Sequence, residues 1–125
     1  MPAKLNLNSL LVFSEHPKKL AAFYGKVLGE KPGWSGGDFV GYRAGDGYLM
    51  IGPHSKVHGT SKNPERMMLN FETRDVKKEF ERIKKLGAKV IQAPYHPDED
   101  EESKGLVATF ADPDNNFFQL VSPMM

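Results

Sequence analysis

The stretch Ala111-Asp112-Pro113-Asp114-Asn115-Asn116-Phe117-Phe118-Gln119-Leu120 decides the fold. Its first half is turn chemistry. Proline fixes φ, the Asp and Asn side chains bond back to nearby backbone, and asparagine tolerates the left-handed conformation. Its second half opens an apolar strand, Phe117 to Val121, that stops at Ser122-Pro123. A strand this hydrophobic has to pair inside a sheet, so the fold waits for its last segment. Gln119 is the one polar side chain in that strand. Asp112-x-Asp114-x-Asn116 has the opening spacing of a calcium loop, but Phe117 stands where the loop needs glycine and Pro123 where it needs glutamate. It reads as a turn.

Working backward, Leu106 to Phe110 is the partner strand of a hairpin closed by that turn. Pro94 to Lys104 is a loop carrying Asp98-Glu99-Asp100-Glu101-Glu102. This acid run reads as a self-repelling, solvated face, although over a cavity mouth it would favour cationic ligands. Lys89 to Ala93 is a strand. Before it, Asp75 is a helix N-cap, Val76, Phe80 and Ile83 form an apolar helical stripe, and Gly87 after Leu86 supplies the C-terminal stop. Met67 to Thr73 is a strand, and Pro53 to Pro64 a polar loop without periodicity.

The first half repeats this order. Asn6 to Phe13 reads as a buried strand, Pro17 suits the first turn of a helix, and Leu20, Phe23, Tyr24, Val27 and Leu28 make one apolar stripe ended by Gly29. Short strands follow around Trp34, from Phe39 to Ala44 and from Tyr48 to Gly52, with Gly45-Asp46-Gly47 as a hairpin turn. Leu28-Gly29 and Leu86-Gly87 lie about 58 positions apart, near half the chain. Repeated element order is the signal of a duplication. Neither half buries a sheet face alone, so residues 1–125 are expected to form a single domain, with module one about 1–60 and module two about 61–125.

Composition narrows the function classes. The 39% apolar and 26% charged fractions are those of an ordinary globular protein. A net charge of +1 gives no electrostatic reason to expect nucleic acid or an anionic membrane as partner. The absence of cysteine excludes a thiol nucleophile and any Cys-type zinc site. No apolar run approaches the roughly 18–20 residues of a membrane span, and Met1-Pro2-Ala3-Lys4 opens no secretory signal, so a cytoplasmic location is expected. No phosphate loop, dinucleotide fingerprint or nucleophile elbow is present.

Three motifs stand out: Leu20-Ala21-Ala22-Phe23-Tyr24 with Val27-Leu28-Gly29, then Leu86-Gly87-Ala88, then Asp112-Pro113-Asp114-Asn115-Asn116. On these residues the chain resembles the vicinal oxygen chelate superfamily, which includes glyoxalase I, bleomycin-resistance proteins, fosfomycin-modifying enzymes and extradiol dioxygenases. The resemblance spans essentially the whole chain. It implies an α+β fold of paired βαβββ modules, a curved mixed sheet around a cavity with helices on the outer face, and a homodimer. Such a scaffold hosts many chemistries, so the activity must be argued from the site.

Metal-dependent members hold one divalent ion with His, Glu or Gln side chains on the first and last strands of each module. The resemblance places those positions at Ser9 (with Asn8 its neighbour), Met50, Met68 and Gln119. Serine and methionine are poor ligands for such ions and one neutral amide gives no charge compensation, so no metal and no cofactor is expected.

Side chains alternate along a strand, which sorts two faces. Leu10, Val12, Leu49, Ile51, Leu69, Phe71, Phe118 and Leu120 suit a face packed on helices. The opposite face holds Ser9, Leu11, Phe13, Tyr48, Met50, Met68, Asn70, Glu72, Phe117 and Gln119, the mixed lining of a small-molecule pocket or, alternatively, plain core. The candidate ligand-binding residues are Trp34, Tyr48, Met50, Met68, Asn70, Phe117 and Gln119. Aromatics and methionines would supply apolar contact, and Asn70 and Gln119 hydrogen bonds. His54 and His58 are spaced for a helical metal site, but Pro53 and Gly59 argue for loop histidines; His96 is also a loop residue and His16 a helix-start residue.

The expected function is metal-free binding of a small organic molecule, with drug sequestration one version. The alternative is a metal-dependent lyase, isomerase or dioxygenase drawing ligands from His54, His58 or Glu72. A third is an interaction module with no ligand.

Overall fold

The computed structural model describes residues 4–97 and 105–123. The acid run 98–102 lies outside the described residues. Along the chain run β1 (Ser9–Phe13), α1 (Pro17–Leu28), β2 (Trp34–Gly36), β3 (Phe39–Ala44), β4 (Gly47–Gly52), β5 (Leu69–Glu72), α2 (Val76–Lys85), β6 (Lys89–Tyr95), β7 (Val107–Ala111) and β8 (Phe117–Val121). The class is α+β. The strands form two four-stranded mixed sheets, ordered β1-β4-β3-β2 and β5-β8-β7-β6, and neither closes into a barrel. In each, the first strand runs parallel to the last while the other pairings are antiparallel. This is the βαβββ module twice over. The chain divides into two compact units, 1–59 and 60–125.

In the first unit α1 packs on β3 and β4. Pro17 opens the helix and Gly29, at φ 66°, ends it in the left-handed conformation that glycine adopts without steric cost. Leu20, Ala21, Tyr24 and Val27 are buried on one helical face, against a sheet face that buries Tyr42, Leu49 and Ile51. The Tyr42 hydroxyl donates to the carbonyl of Ala21 at 2.8 Å. A Cβ on Gly25 would come within 2.8 Å of that hydroxyl, so the helix needs glycine where the tyrosine crosses it. Ser14, also buried, takes its N–H to the Gly52 carbonyl and receives the His16 N–H on its hydroxyl, which fixes the entry to α1.

In the second unit α2 packs on β6, β7 and β8. Asp75 caps it by accepting the Lys78 N–H at 3.1 Å. Val76, Phe80 and Ile83 are its buried stripe. Beneath it, Phe80 stacks on Phe110 at 5.2 Å and Phe110 on Phe118 at 5.4 Å, with Phe71 edge-on to Phe118 at 6.0 Å. Offset ring pairs of this kind add roughly 0.5–1.5 kcal/mol each beyond the area they bury.

Three strand boundaries differ by two residues or more from the sequence expectation, each for want or gift of a partner. β1 starts at Ser9, not Asn6, because its parallel partner β4 begins at the Gly45-Asp46 turn. Asn8 keeps one bond, to the Tyr48 N–H, and Leu5 and Leu7 lie 88% and 94% exposed. β5 starts at Leu69, not Met67, because Leu69 pairs Phe118 and β8 itself begins one residue earlier. β6 runs on to Tyr95 through Pro94. It is an edge strand with irregular register on both sides of Gln92, where a missing N–H does no harm.

The turn 112–116 is as its composition dictates. The buried Asp112 carboxylate accepts the N–H groups of Asp114 (2.8 Å) and Asn116 (2.9 Å) and the Asn116 side-chain amide. Asn115 sits at φ 63°, the left-handed conformation expected of it. Its amide and the Asp114 carbonyl bond to the backbone of Ser61, tying the loop ahead of β5 to the turn ahead of β8.

Candidate functional site

Each sheet has one face on its helix and one face turned the other way, and strand register sorts the second face into rows. In the first unit the central row is Leu11, Met50, Gly41, Trp34, one residue from each strand. Gly41 is the reason it is flat. A Cβ there would stand 2.7 Å from the Met50 sulfur and 3.7 Å from the Trp34 ring, so both side chains lie down over the glycine. Gly36 likewise receives the Trp34 ring, 2.9 Å from where its Cβ would be, and Gly52 lies under the Phe39 ring. Phe13 is edge-on to Phe39 at 6.2 Å and to His54 at 5.1 Å. Trp34 (49%), Leu11 (53%) and Tyr48 (38%) remain exposed. Tyr48 occupies the row beside, paired with Ser9 and Arg43.

In the second unit the central row is polar throughout: Asn70, Gln119, Thr109 and Gln92. The Gln119 amide nitrogen donates to the Thr109 hydroxyl at 2.9 Å. Thr109 is 5% exposed and Gln119 half-buried. Gln92 turns its amide nitrogen to the Ala93 carbonyl. One flanking row is Lys89, Ala111, Phe117; the other is Tyr95, Val107, Val121, Glu72. The two charges of this face, Lys89 and Glu72, stand on the two edge strands, in different rows, and are exposed.

Of the seven candidate residues, Trp34, Tyr48 and Met50 therefore share a face of the first sheet. Asn70, Phe117 and Gln119 share a face of the second. Met68 precedes β5 by one position and is half-exposed. Thr109 and Gln92 were not among the candidates. The hairpin closed by Ala111 and Phe117 already sets Thr109 opposite Gln119, so counting along it would have found the pair.

The four metal positions of the superfamily do not make a fitting donor set. Ser9 and Met68 are exposed, Met50 is spread over Gly41, and Gln119 offers one neutral oxygen. Among the described residues no group of three or more His, Asp or Glu side chains could hold an ion. The loop histidines are engaged elsewhere: His58 Nδ1 lies 3.1 Å from a Glu15 carboxylate oxygen, and His54 Nδ1 accepts the Lys56 N–H while its ring meets Phe13. His96 meets the Gly105 carbonyl at 2.8 Å. Among the described residues no helix is long and apolar enough to cross a membrane.

A family model described as a glyoxalase-like domain matches residues 9–121. The chain belongs to this family. Solved structures agree on the fold. A glyoxalase/bleomycin resistance protein/dioxygenase family enzyme from Burkholderia phytofirmans PsJN superposes with TM-score 0.72 at 22% identity, covering 94% of this chain and 98% of that one. A glyoxalase-related enzyme from Fulvimarina pelagi gives 0.74 at 18%, covering 94% and 88%. The fosfomycin resistance protein FosX from Mesorhizobium loti gives 0.69 at 17%, covering 99% and 96%. At these identities the likeness is one of fold. No curated protein matches it in sequence.

Proposed function

We propose that this glyoxalase-like protein binds a small organic molecule without a resident metal ion, as a single-domain chain that pairs with a second copy in a homodimer in the cytoplasm. The observation that carries the reading is the chemistry of the two open sheet faces. Where metal-dependent relatives present ligands, this chain presents Ser9, Met50, Met68 and Gln119, and around them mainly rings, methionine and uncharged amides, with the charges of these faces, Arg43, Glu72 and Lys89, in the flanking rows. Such surfaces bind by apolar contact and hydrogen bonding, whereas a divalent ion asks for anionic or imidazole donors. Trp34, Tyr48, Met50, Met68 and Phe117 supply contact area; Asn70 and Gln119 orient the ligand.

Trp34 is the single tryptophan of the chain and lies half-exposed on the first of these faces, so its fluorescence reports occupancy there directly. A screen of small organic molecules, fosfomycin included because two FosX proteins are among the structural neighbours, is read by thermal unfolding and Trp34 emission. Hits that raise Tm in chelator-treated protein support the reading, since a ligand that binds only the folded state must stabilise it. Hits that appear only after a divalent ion is added overturn it in favour of a metal-dependent lyase, isomerase or dioxygenase.

A further inference from the structure

The row Asn70–Gln119–Thr109–Gln92 carries more than a generic polar lining. Its members come from all four strands of the second sheet and none is ionisable. Within the row, Gln119 has spent one of its two amide hydrogens on Thr109. That bond fixes the carboxamide plane and leaves its oxygen as an unused acceptor, while the Thr109 hydroxyl, having accepted, still has its own proton to give. The Gln119 oxygen is not sealed in: among the described residues the one buried side-chain polar atom without a partner is Asp114 Oδ2, in the turn. Beside it, Asn70 is exposed and offers both a donor and an acceptor one strand away. The row therefore presents fixed acceptor and donor positions side by side, over a floor of Ala111 and Thr109 that water scarcely reaches.

A ligand group placed on such a floor is partly desolvated. A carboxylate or ammonium there would find no ionisable partner within the row itself, because the charges of this face, Lys89 and Glu72, stand on the edge strands in the flanking rows. An uncharged group with adjacent N–H and C=O would have both satisfied. We infer that the Asn70–Gln119–Thr109 row selects an uncharged carboxamide, lactam or imide group on the ligand and discriminates against the corresponding acid and amine. This rests on the small-molecule reading above and specifies the ligand's polar group.

The test uses benzamide, benzoate and benzylamine, which share one ring and differ in that group, titrated into the full chain and followed by ¹H–¹⁵N correlation spectra. Benzamide is expected to shift the side-chain amide signals of Gln119 and Asn70 and the backbone signal of Thr109, saturably, with benzoate and benzylamine bound about tenfold or more weaker. Asn70→Ala, an exposed change that leaves the fold intact, and Gln119→Glu, of the same shape, should each reduce benzamide binding by about tenfold. Equal or tighter binding of the acid or the amine at these signals overturns the inference. So does the absence of any shift at Gln119 with all three probes. In either case a hit from the Trp34 screen in chelator-treated protein would leave the small-molecule reading standing, whereas an empty screen would remove both.

Discussion

Gln119 and Thr109 face each other across β8 and β7, the amide nitrogen of one 2.9 Å from the hydroxyl oxygen of the other. Thr109→Val keeps the shape and removes the hydroxyl, leaving the Gln119 amide free to rotate. The expected cost is about 1 kcal/mol of stability, read by denaturant unfolding, with a larger proportional loss in affinity for any ligand held by the Gln119 oxygen. A variant that keeps full ligand affinity would show that the bond has no orienting role.

The Asp112 carboxylate holds the 112–116 turn through two backbone N–H groups and the Asn116 amide. Asp112→Ala should cost about 2–3 kcal/mol, since bonds to a charged acceptor are the strong ones and the donors are left unpaired. Asp112→Asn keeps one acceptor oxygen but sets an amide against that of Asn116, so it should fall between. The comparison is made by chemical denaturation. Equal stability of all three proteins would contradict the role assigned to the turn.

Much of this was legible in the sequence, and the reasons are local. Asp75, Gly29, Gly87 and the Asp-Pro-Asp-Asn-Asn turn each meet a requirement of the backbone at one position, so residue type alone reports them. The two faces of β4 and β8 were legible because alternation needs no partner: Leu49, Ile51, Phe118 and Leu120 are buried as it requires. The ends of β1 and β5 were not. Leu5, Leu7 and Met67 look like strand residues, but a strand ends where its neighbour's ladder does, and that is a long-range fact. The flatness of the Leu11–Met50–Gly41–Trp34 row was hidden for a related reason. Gly41 reads as punctuation until its partners across the sheet are known.

The glycines of the first sheet should differ in their tolerance of a methyl group. At Gly41 the obstructing atom is the end of a flexible methionine, and Met50 can swing away. At Gly52 it is the Phe39 ring, itself held edge-on by Phe13. Gly52→Ala is expected to destabilise by about 1–3 kcal/mol, and Gly41→Ala by less while changing Trp34 emission. Unfolding curves followed by fluorescence read both. The reverse order would show that Phe39, not Met50, is the side chain with room to move.

Burial pushes the Tyr42 hydroxyl above its ordinary pKa of 10.0. As pH rises past about 10 the unfolded chain gives up this proton while the folded chain retains it, so Tyr42 makes stability fall with pH from there upward, until the folded pKa is passed. Tyr42→Phe should lose about 1 kcal/mol at neutral pH, from the bond to Ala21, and show a shallower alkaline decline. Parallel declines in both proteins would place the titrating group elsewhere.

The central claim is that the superfamily's scaffold works here without its metal. Elemental analysis of protein purified without chelator and without a metal-affinity tag tests it most directly. The account predicts Zn, Ni, Mn, Fe and Co all far below stoichiometric with the chain; one divalent ion per chain, retained through gel filtration, would contradict it.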